Sequence, residues 1–361
     1  MFVINQECRE GMAQNIADNS IDAIVTDPPY GLGKEPNMAE VLTHWLAGDD
    51  YTATGGGFMG KTWDSFVPGP SIWKEAYRCL KPGGHMLVFA GSRTQDLMAT
   101  SLRLSGFEIR DTLMWMYGSG FPKSLNVCTA TGSEDWEGYG TGLKPAYEPI
   151  LVCRKPLDGT VANNVLTHGT GAINVDGCRI PATDDQLAAK YASVPAGSTR
   201  DNSIYGKGTS ARRDTPHESG RWPANVLHDG CLPEPMDRYF YCAKTSKADR
   251  EAGLEMFDHH TGGECTGRED GSAGTKSPRA GAGRTGGNKN IHPTVKPTEL
   301  MRWCCRLVGH PGAVIMDMFS GSGSTGRGAV LEGFGFVGFE MDEEYCAIAN
   351  ARILDALANK R

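Results

Sequence analysis

At 361 residues with 39% hydrophobic side chains, the chain is long enough for one large α/β domain carrying an inserted module, or for two domains. Its net charge of −7 excludes a uniformly basic nucleic-acid binder but not a local basic face: from Thr266 to Lys296 six Lys or Arg stand against two acids, a window of +4. Eleven scattered cysteines without a C-x-x-C pair read as reduced thiols, and no stretch has the form of a signal peptide or a membrane span, so a soluble, cytoplasmic protein with no membrane contact is expected.

From the N-terminus, Phe2 to Asn5 reads as a short strand and Cys8 to Asn15 as a helix. Ile21, Ala23, Ile24 and Val25 form an apolar, β-branched run with no helical period, which predicts a buried strand. Asp27, Pro28, Pro29 and Tyr30 follow it after Thr26. Pro28 holds Asp27 out of the helical region and Pro29 does the same to Pro28, so this turn is stiff, with an acid at its start and an aromatic ring at its end. Glu40 to Leu46 has helical character, and Gly48 to Gly60 is a glycine-rich loop that suits a lid or a plain surface excursion. The spacing predicts a helix over Ile72 to Leu80, stopped by a turn at Lys81-Pro82-Gly83-Gly84. Met86 to Phe89 reads as a buried strand, Gln95 to Leu104 as a helix, and Glu108 to Met116 and Glu148 to Cys153 as strands. This alternation belongs to a mostly parallel sheet.

Between Lys155 and about Asn290 the alternation fails. Short apolar pieces, Val161 to Leu166, Trp222 to Leu227 and Tyr239 to Cys242, are separated by glycine, proline and polar residues, and Ser277 to Asn290 carries basic residues and no acid. An inserted, loop-rich region with a flexible basic segment is expected, with Trp222, Tyr239, Phe240 and Tyr241 in its own small core. Regularity returns with a helix over Thr298 to Val308 and a strand over Ala313 to Met316 that ends in Asp317. A glycine-rich turn from Phe319 to Gly326, a helix over Thr325 to Glu332, a strand over Gly335 to Phe339 ending in Glu340, and a helix over Glu344 to Leu357 complete the chain.

Strand, glycine turn, helix, strand, acid is the recipe for a nucleoside pocket, because glycines admit the ligand close to the backbone and the acid accepts ribose hydroxyls. Gly321, Gly323 and Gly326 satisfy G-x-G-x-x-G with Glu340 nineteen residues after Gly321, which by itself admits a dinucleotide-binding oxidoreductase. Only 21 residues follow Glu340, too few for the further strands such a fold needs. Those strands must come from the N-terminal half, giving one α/β sheet in circularly permuted order with both turns on one edge. The Asp27 carboxylate and the Pro28 carbonyl, both acceptors, beside the ring of Tyr30 suit an exocyclic amine on a planar base. His259, His260 and Cys265 fit no zinc spacing, and no metal is expected.

Asp27-Pro28-Pro29-Tyr30 matches the D-P-P-Y motif of amino-group DNA methyltransferases, and Phe319-x-Gly321-x-Gly323 matches their F-x-G-x-G motif. The order of these two, with His292-Pro293-Thr294-Val295-Lys296-Pro297 just before the second, resembles the β class of that family, whose members methylate adenine N6 or cytosine N4. Leu80 to Gly84 and Tyr147 to Leu151 are also similar to stretches of the family, and the resemblance covers roughly residues 1 to 155 and 290 to 358. It implies a Rossmann-like methyltransferase domain split into residues 1–155 and 291–361, with residues 156–290 as an inserted target recognition region.

The resemblance further implies S-adenosylmethionine as methyl donor and double-stranded DNA as partner, and it admits a homodimer and a cognate restriction endonuclease. By position, Asp27, Pro28, Pro29 and Tyr30 would act on a flipped-out base. Asp317, Phe319, Gly321, Ser322 and Gly323 would line the cofactor, Glu340 would bind its ribose, and Thr294, Lys296 and Pro297 would flank its methionine end. Asp27 stands where cytosine-N4 members more often carry Ser, which favours adenine. Arg279, Arg284 and Lys289 are candidate phosphate contacts, with Arg212 and Arg213 as alternatives. Gln6-Glu7 replaces the family's usual Gly-Asp before Cys8, so no adenine contact is carried over to Glu7. The rival readings are a catalytically inactive DNA-binding paralogue, methylation of glutamine in a protein, and the oxidoreductase above.

Overall fold

The structure, a computed structural model, describes residues 2–53, 62–120, 124–181, 201–202, 206–207, 219–243, 246–261, 263–264 and 287–360. Its elements run β1 (Val3–Asn5), α1 (Cys8–Asn15), β2 (Ile21–Thr26), α2 (Met38–Ala47), α3 (Pro70–Cys79), β3 (Leu80–Phe89), α4 (Gln95–Leu104), β4 (Glu108–Met116), α5 (Val127–Thr131) and β5 (Tyr147–Arg154). There follow α6 (Val161–His168), a small ladder of β6 (Asp201–Asn202) and β7 (Gly206–Lys207), β8 (Val226–His228), β9 (Tyr241–Cys242) and α7 (Lys247–Glu251). The last part holds α8 (Thr298–Val308), β10 (Val314–Asp317), α9 (Ser324–Glu332), β11 (Gly335–Glu340) and α10 (Glu343–Ala358).

Nine strands form one sheet in the order β1-β11-β10-β2-β3-β5-β4-β8-β9. β5 is antiparallel to both neighbours and every other pairing is parallel, as the α/β reading expects. The late strands β10 and β11 lie between β1 and β2, so the C-terminal part of the chain completes the middle of the N-terminal sheet. All six residues of β2 are buried because helices cover both faces of the sheet. Alternation sorts its side chains: Ile24 packs with Met12, Trp73 and Met98 on one face, whereas Ala23 and Val25 pack with Leu300, Met301 and Trp303 on the other.

Two expectations are corrected. Lys81 to Gly84 does not separate helix from strand, because β3 starts at Leu80 and takes these residues in as a bulge. Ile21 pairs with Leu80 and Ala23 with His85, and Gly83, at φ +72°, gives its N–H to the carbonyls of Lys155 and Pro156 at 3.1 Å each. Backbone partners from the neighbouring strand's end therefore override the local stop signal. Trp222 and Tyr239, expected in a small core, are 67% and 40% exposed. Guanidinium groups cover their rings instead of apolar side chains, Arg179 at 5.3 Å from Trp222, and Arg221 and Arg238 at 4.9 and 5.1 Å from Tyr239. Tyr241, half-buried, stacks on Trp303 at 5.8 Å, within the main core. From the stretch 156–290, β8 and β9 extend the main sheet beyond β4. Part of the Gly48 to Gly60 loop lies outside the described residues.

Candidate active site

Because the strands other than β5 are parallel, β2, β3, β4, β10 and β11 deliver their carboxyl ends to one edge, and β5 delivers its amino end there. A cavity of about 1620 Å³ opens along that edge. Asp27 to Tyr30, which leave β2, line it together with Glu148 from the start of β5. Asp317, Phe319, Gly321, Ser322 and Glu340 line it from the other half of the chain, and Thr294 and Lys296 from the segment before α8. Gly323 caps α9 and Pro297 caps α8, so these two shape the elements behind the wall.

The proline turn is pinned from outside itself. The N–H groups of Tyr30 and Gly31 both donate to Asp64 Oδ1, at 2.7 and 3.1 Å, and the Tyr30 carbonyl accepts the Thr94 hydroxyl at 2.5 Å. These contacts turn the Tyr30 side chain back onto Asp27. The Tyr30 hydroxyl lies 2.8 Å from Asp27 Oδ1 and 2.9 Å from Glu148 Oε2, and its single hydrogen serves one carboxylate at a time. Lys296 Nζ donates to Asp27 Oδ2 at 2.7 Å and to the Tyr30 oxygen at 3.2 Å, and ion-pairs with Glu148 Oε2 at 3.2 Å. The Lys296 side chain is only 7% exposed.

Burial pushes the Asp27 carboxyl above the ordinary carboxylate range, with the Lys296 ammonium pulling back and Glu148 adding to the rise. For Lys296 the balance reverses: burial lowers its affinity for the proton, but Asp27 and Glu148 outweigh that and keep it an ammonium. Burial also raises the Tyr30 phenol well above its usual value, helped by the same two carboxylates.

The glycine turn is organised by two acids. Asp317 Oδ1 accepts the Phe319 N–H at 3.1 Å and the Thr26 hydroxyl at 2.6 Å, and burial pushes its carboxyl up to about 6 against these bonds. Glu340 accepts the Gly321 N–H at 2.8 Å and the Asp342 N–H at 2.9 Å, and burial pushes it up to about 7. Each Glu340 oxygen so far holds one donor and has capacity for another. Gly321 sits at φ +48°, and a Cβ there would lie 2.7 Å from His292 Nε2. The glycine is required both by backbone conformation and by the segment lying against it. Behind the turn, buried Arg352 donates to the Ser322 carbonyl at 2.7 Å.

Other predicted residues fall elsewhere. Lys289 spends its ammonium on the Glu255 carbonyl at 2.7 Å and does not line the cavity. Arg279, Arg284, Arg212, Arg213 and Cys265 lie outside the described residues. Glu7 lines the cavity, but its carboxylate caps α1, accepting the N–H groups of Arg9 and Glu10. Among the described residues no group of three or more His, Cys, Asp or Glu could hold a metal ion, and no helix is long and apolar enough to cross a membrane. Sequence reasoning missed Asp64 and Thr94, which carry no local signal. It passed over the role of Glu148, whose signal was its place in the Tyr147 to Leu151 stretch.

A family model described as DNA methylase matches residues 21–351. The chain belongs to the DNA methylase family. One relative in it, DNA adenine methyltransferase YhdJ of Escherichia coli (strain K12), is 36% identical over 341 residues, covering 94% of this chain and 78% of that protein. Type II methyltransferase M.HindIII of Haemophilus influenzae is 25% identical over 191 residues, and the match spans 45% of this chain and 61% of M.HindIII. Among solved structures, PvuII DNA methyltransferase (cytosine-N4-specific) aligns over 100% of this chain and 95% of its own at 14% identity and a TM-score of 0.49.

Proposed function

We propose that this chain transfers a methyl group from S-adenosylmethionine to the exocyclic N6 amine of an adenine flipped out of double-stranded DNA. The observation that carries this reading is that Asp27 and Gly321, at the two ends of the chain, line one cavity. S-adenosylmethionine is the methyl donor that goes with membership of this family, and when bound it supplies a methyl carbon on a sulfonium. The residues present fit it: the glycine turn lets the backbone approach, Glu340 offers free acceptor capacity for two ribose hydroxyls, and the Asp27 turn lies across the same space.

A base amine is a poor nucleophile because its lone pair is delocalised into the ring. Asp27 and the Pro28 carbonyl accept its two hydrogens and turn the lone pair toward the methyl carbon. With the cofactor bound, its sulfonium would supply the methyl group and leave as the thioether, and the alignment that Asp27 and Pro28 impose on the amine would supply much of the rate. The methylated amine then loses a proton readily, so Asp27 need not be a strong base. The Tyr30 ring stacks on the extruded base, worth about 1–3 kcal/mol. Asp27 at the head of the turn and the adenine named for YhdJ both favour adenine over cytosine.

In this reading the sheet order is a circular permutation, residues 156–290 supply target recognition, and Arg279 and Arg284 meet phosphates, which Lys289 joins only by leaving the Glu255 carbonyl. The protein acts in the cytoplasm, and the Type II name of M.HindIII is in keeping with a cognate restriction endonuclease. Incubation with tritium-labelled S-adenosylmethionine and duplex DNA, followed by nucleoside separation, tests the proposal. Label in N6-methyladenine is expected; label in N4-methylcytosine would replace the target, and unlabelled DNA would defeat the reading.

A further inference from the structure

We infer that Lys296 is a positioning residue for the reacting carboxylate: it holds Asp27 ionised and oriented between Tyr30 and Glu148, rather than serving as a contact for the cofactor. The inference rests on the methyl-transfer reading above. Three observations lead to it. Lys296 Nζ is 2.7 Å from Asp27 Oδ2, and the same nitrogen is 3.2 Å from Glu148 Oε2, so one ammonium bridges two carboxylates. The Lys296 side chain is buried, which spends the ammonium on these acids and leaves little of it facing the cavity. Its ammonium also lies 5.3 Å from the Tyr30 ring centroid and 5.2 Å from that of Phe89, so aromatic faces complete its cage.

The charge balance explains why a cation belongs there. Asp27 and Glu148 both reach the Tyr30 hydroxyl, and two carboxylates that close do not both stay ionised without a counter-ion. With Lys296 present the cluster carries −1, which opposes the positive charge that moves from sulfonium to amine. Without it, one carboxyl takes up a proton and Asp27 loses an acceptor site that the amine needs. The titratable groups facing this cluster are Tyr30 from the same turn, Glu148 from β5, Tyr117 after β4 and Asp317 from β10, and Lys296 is the cation set among them.

Lys296 also ends the short segment that begins with His292, whose ring lies against Gly321. The segment that borders the cofactor turn thus carries the ammonium that sets the reacting acid.

The test uses the full-length protein and its Lys296→Met, Lys296→Arg and Glu148→Gln variants, with kcat, KM and cofactor Kd followed across neutral pH. Lys296→Met is expected to lower kcat about 100-fold. The acid limb of its pH profile should move up by about one to three pH units, with cofactor Kd little changed. Lys296→Arg restores the limb, and Glu148→Gln, which removes the like charge, moves it down. A Lys296→Met enzyme with an unmoved pH profile and a weakened cofactor Kd would overturn the inference in favour of a cofactor contact, and full activity would overturn it outright. Carbon-13 carboxyl titration of Asp27 in the cofactor-free protein supplies a readout independent of turnover: its midpoint rises in Lys296→Met and falls in Glu148→Gln. An unmoved midpoint in both variants rejects the role of Lys296. A wild-type protein that methylates no DNA rejects the proposed function instead, and the titration still decides Lys296.

Discussion

Thr26 gives its hydroxyl to Asp317 Oδ1 across 2.6 Å, joining the ends of β2 and β10 although the two residues are 291 positions apart. Both side chains are buried, so this bond fastens the proline turn to the glycine turn directly beneath the cavity. Thr26→Val keeps the shape and removes the donor, leaving Asp317 with less to offset its burial. A loss of about 1–3 kcal/mol in urea unfolding is expected, and the Asp317 carboxyl should rise further. An unchanged midpoint would show that the two turns are held together by packing alone.

Gly321 invites a second substitution. At φ +48°, with His292 Nε2 lying 2.7 Å from where a Cβ would sit, Gly321→Ala must strain the turn or push His292 aside. The conformational penalty alone is about 1–2 kcal/mol. Cofactor Kd measured by calorimetry should weaken about tenfold or more, and an unaffected Kd would remove the glycine turn from the cofactor site.

Much of this arrangement was legible from the residues. Gln95–Leu104, Glu108–Met116 and Thr298–Val308 have the bounds their patterns predict, because each is a periodic segment with packing to match. The two turns announced themselves through prolines and glycines, whose backbone limits are local properties. What stayed hidden was long-range. Asp64 reaches the Tyr30 N–H from 34 positions away, and Lys296 reaches Asp27 from 269 positions away. No local pattern encodes such pairings. Trp222 misled for a related reason: an aromatic residue among apolar ones suggests a core, but cationic Arg179 covers its ring.

If Glu340 holds the cofactor ribose as proposed, cofactor affinity depends on pH. Burial pushes its carboxyl up to about 7, so protonated and ionised forms exchange around neutral pH. Two ribose hydroxyls donating to it would favour the anion, which means binding lowers its pKa and expels a proton. Affinity is therefore full above that value and falls as pH drops through it, by at most about tenfold per pH unit. Glu340→Gln should weaken binding and flatten the dependence. A wild-type affinity independent of pH between acid and neutral conditions would detach Glu340 from the cofactor.

Asp27 separates chemistry from binding. Its carboxylate faces Lys296 and Tyr30, whereas Glu340 and the Gly321 turn, proposed above to hold the cofactor, belong to other strands, β11 and β10. Asp27→Ala removes the acceptor proposed to orient the amine and leaves Glu148 as the one carboxylate among the described residues paired with Lys296. Methyl transfer should fall by about 100-fold or more, with cofactor Kd close to that of the unaltered protein. The comparison is single-turnover transfer to DNA against equilibrium cofactor binding in the same sample. If transfer persisted, the amine would have to be oriented by the Pro28 carbonyl and Glu148, and the acid at the head of the turn would be structural.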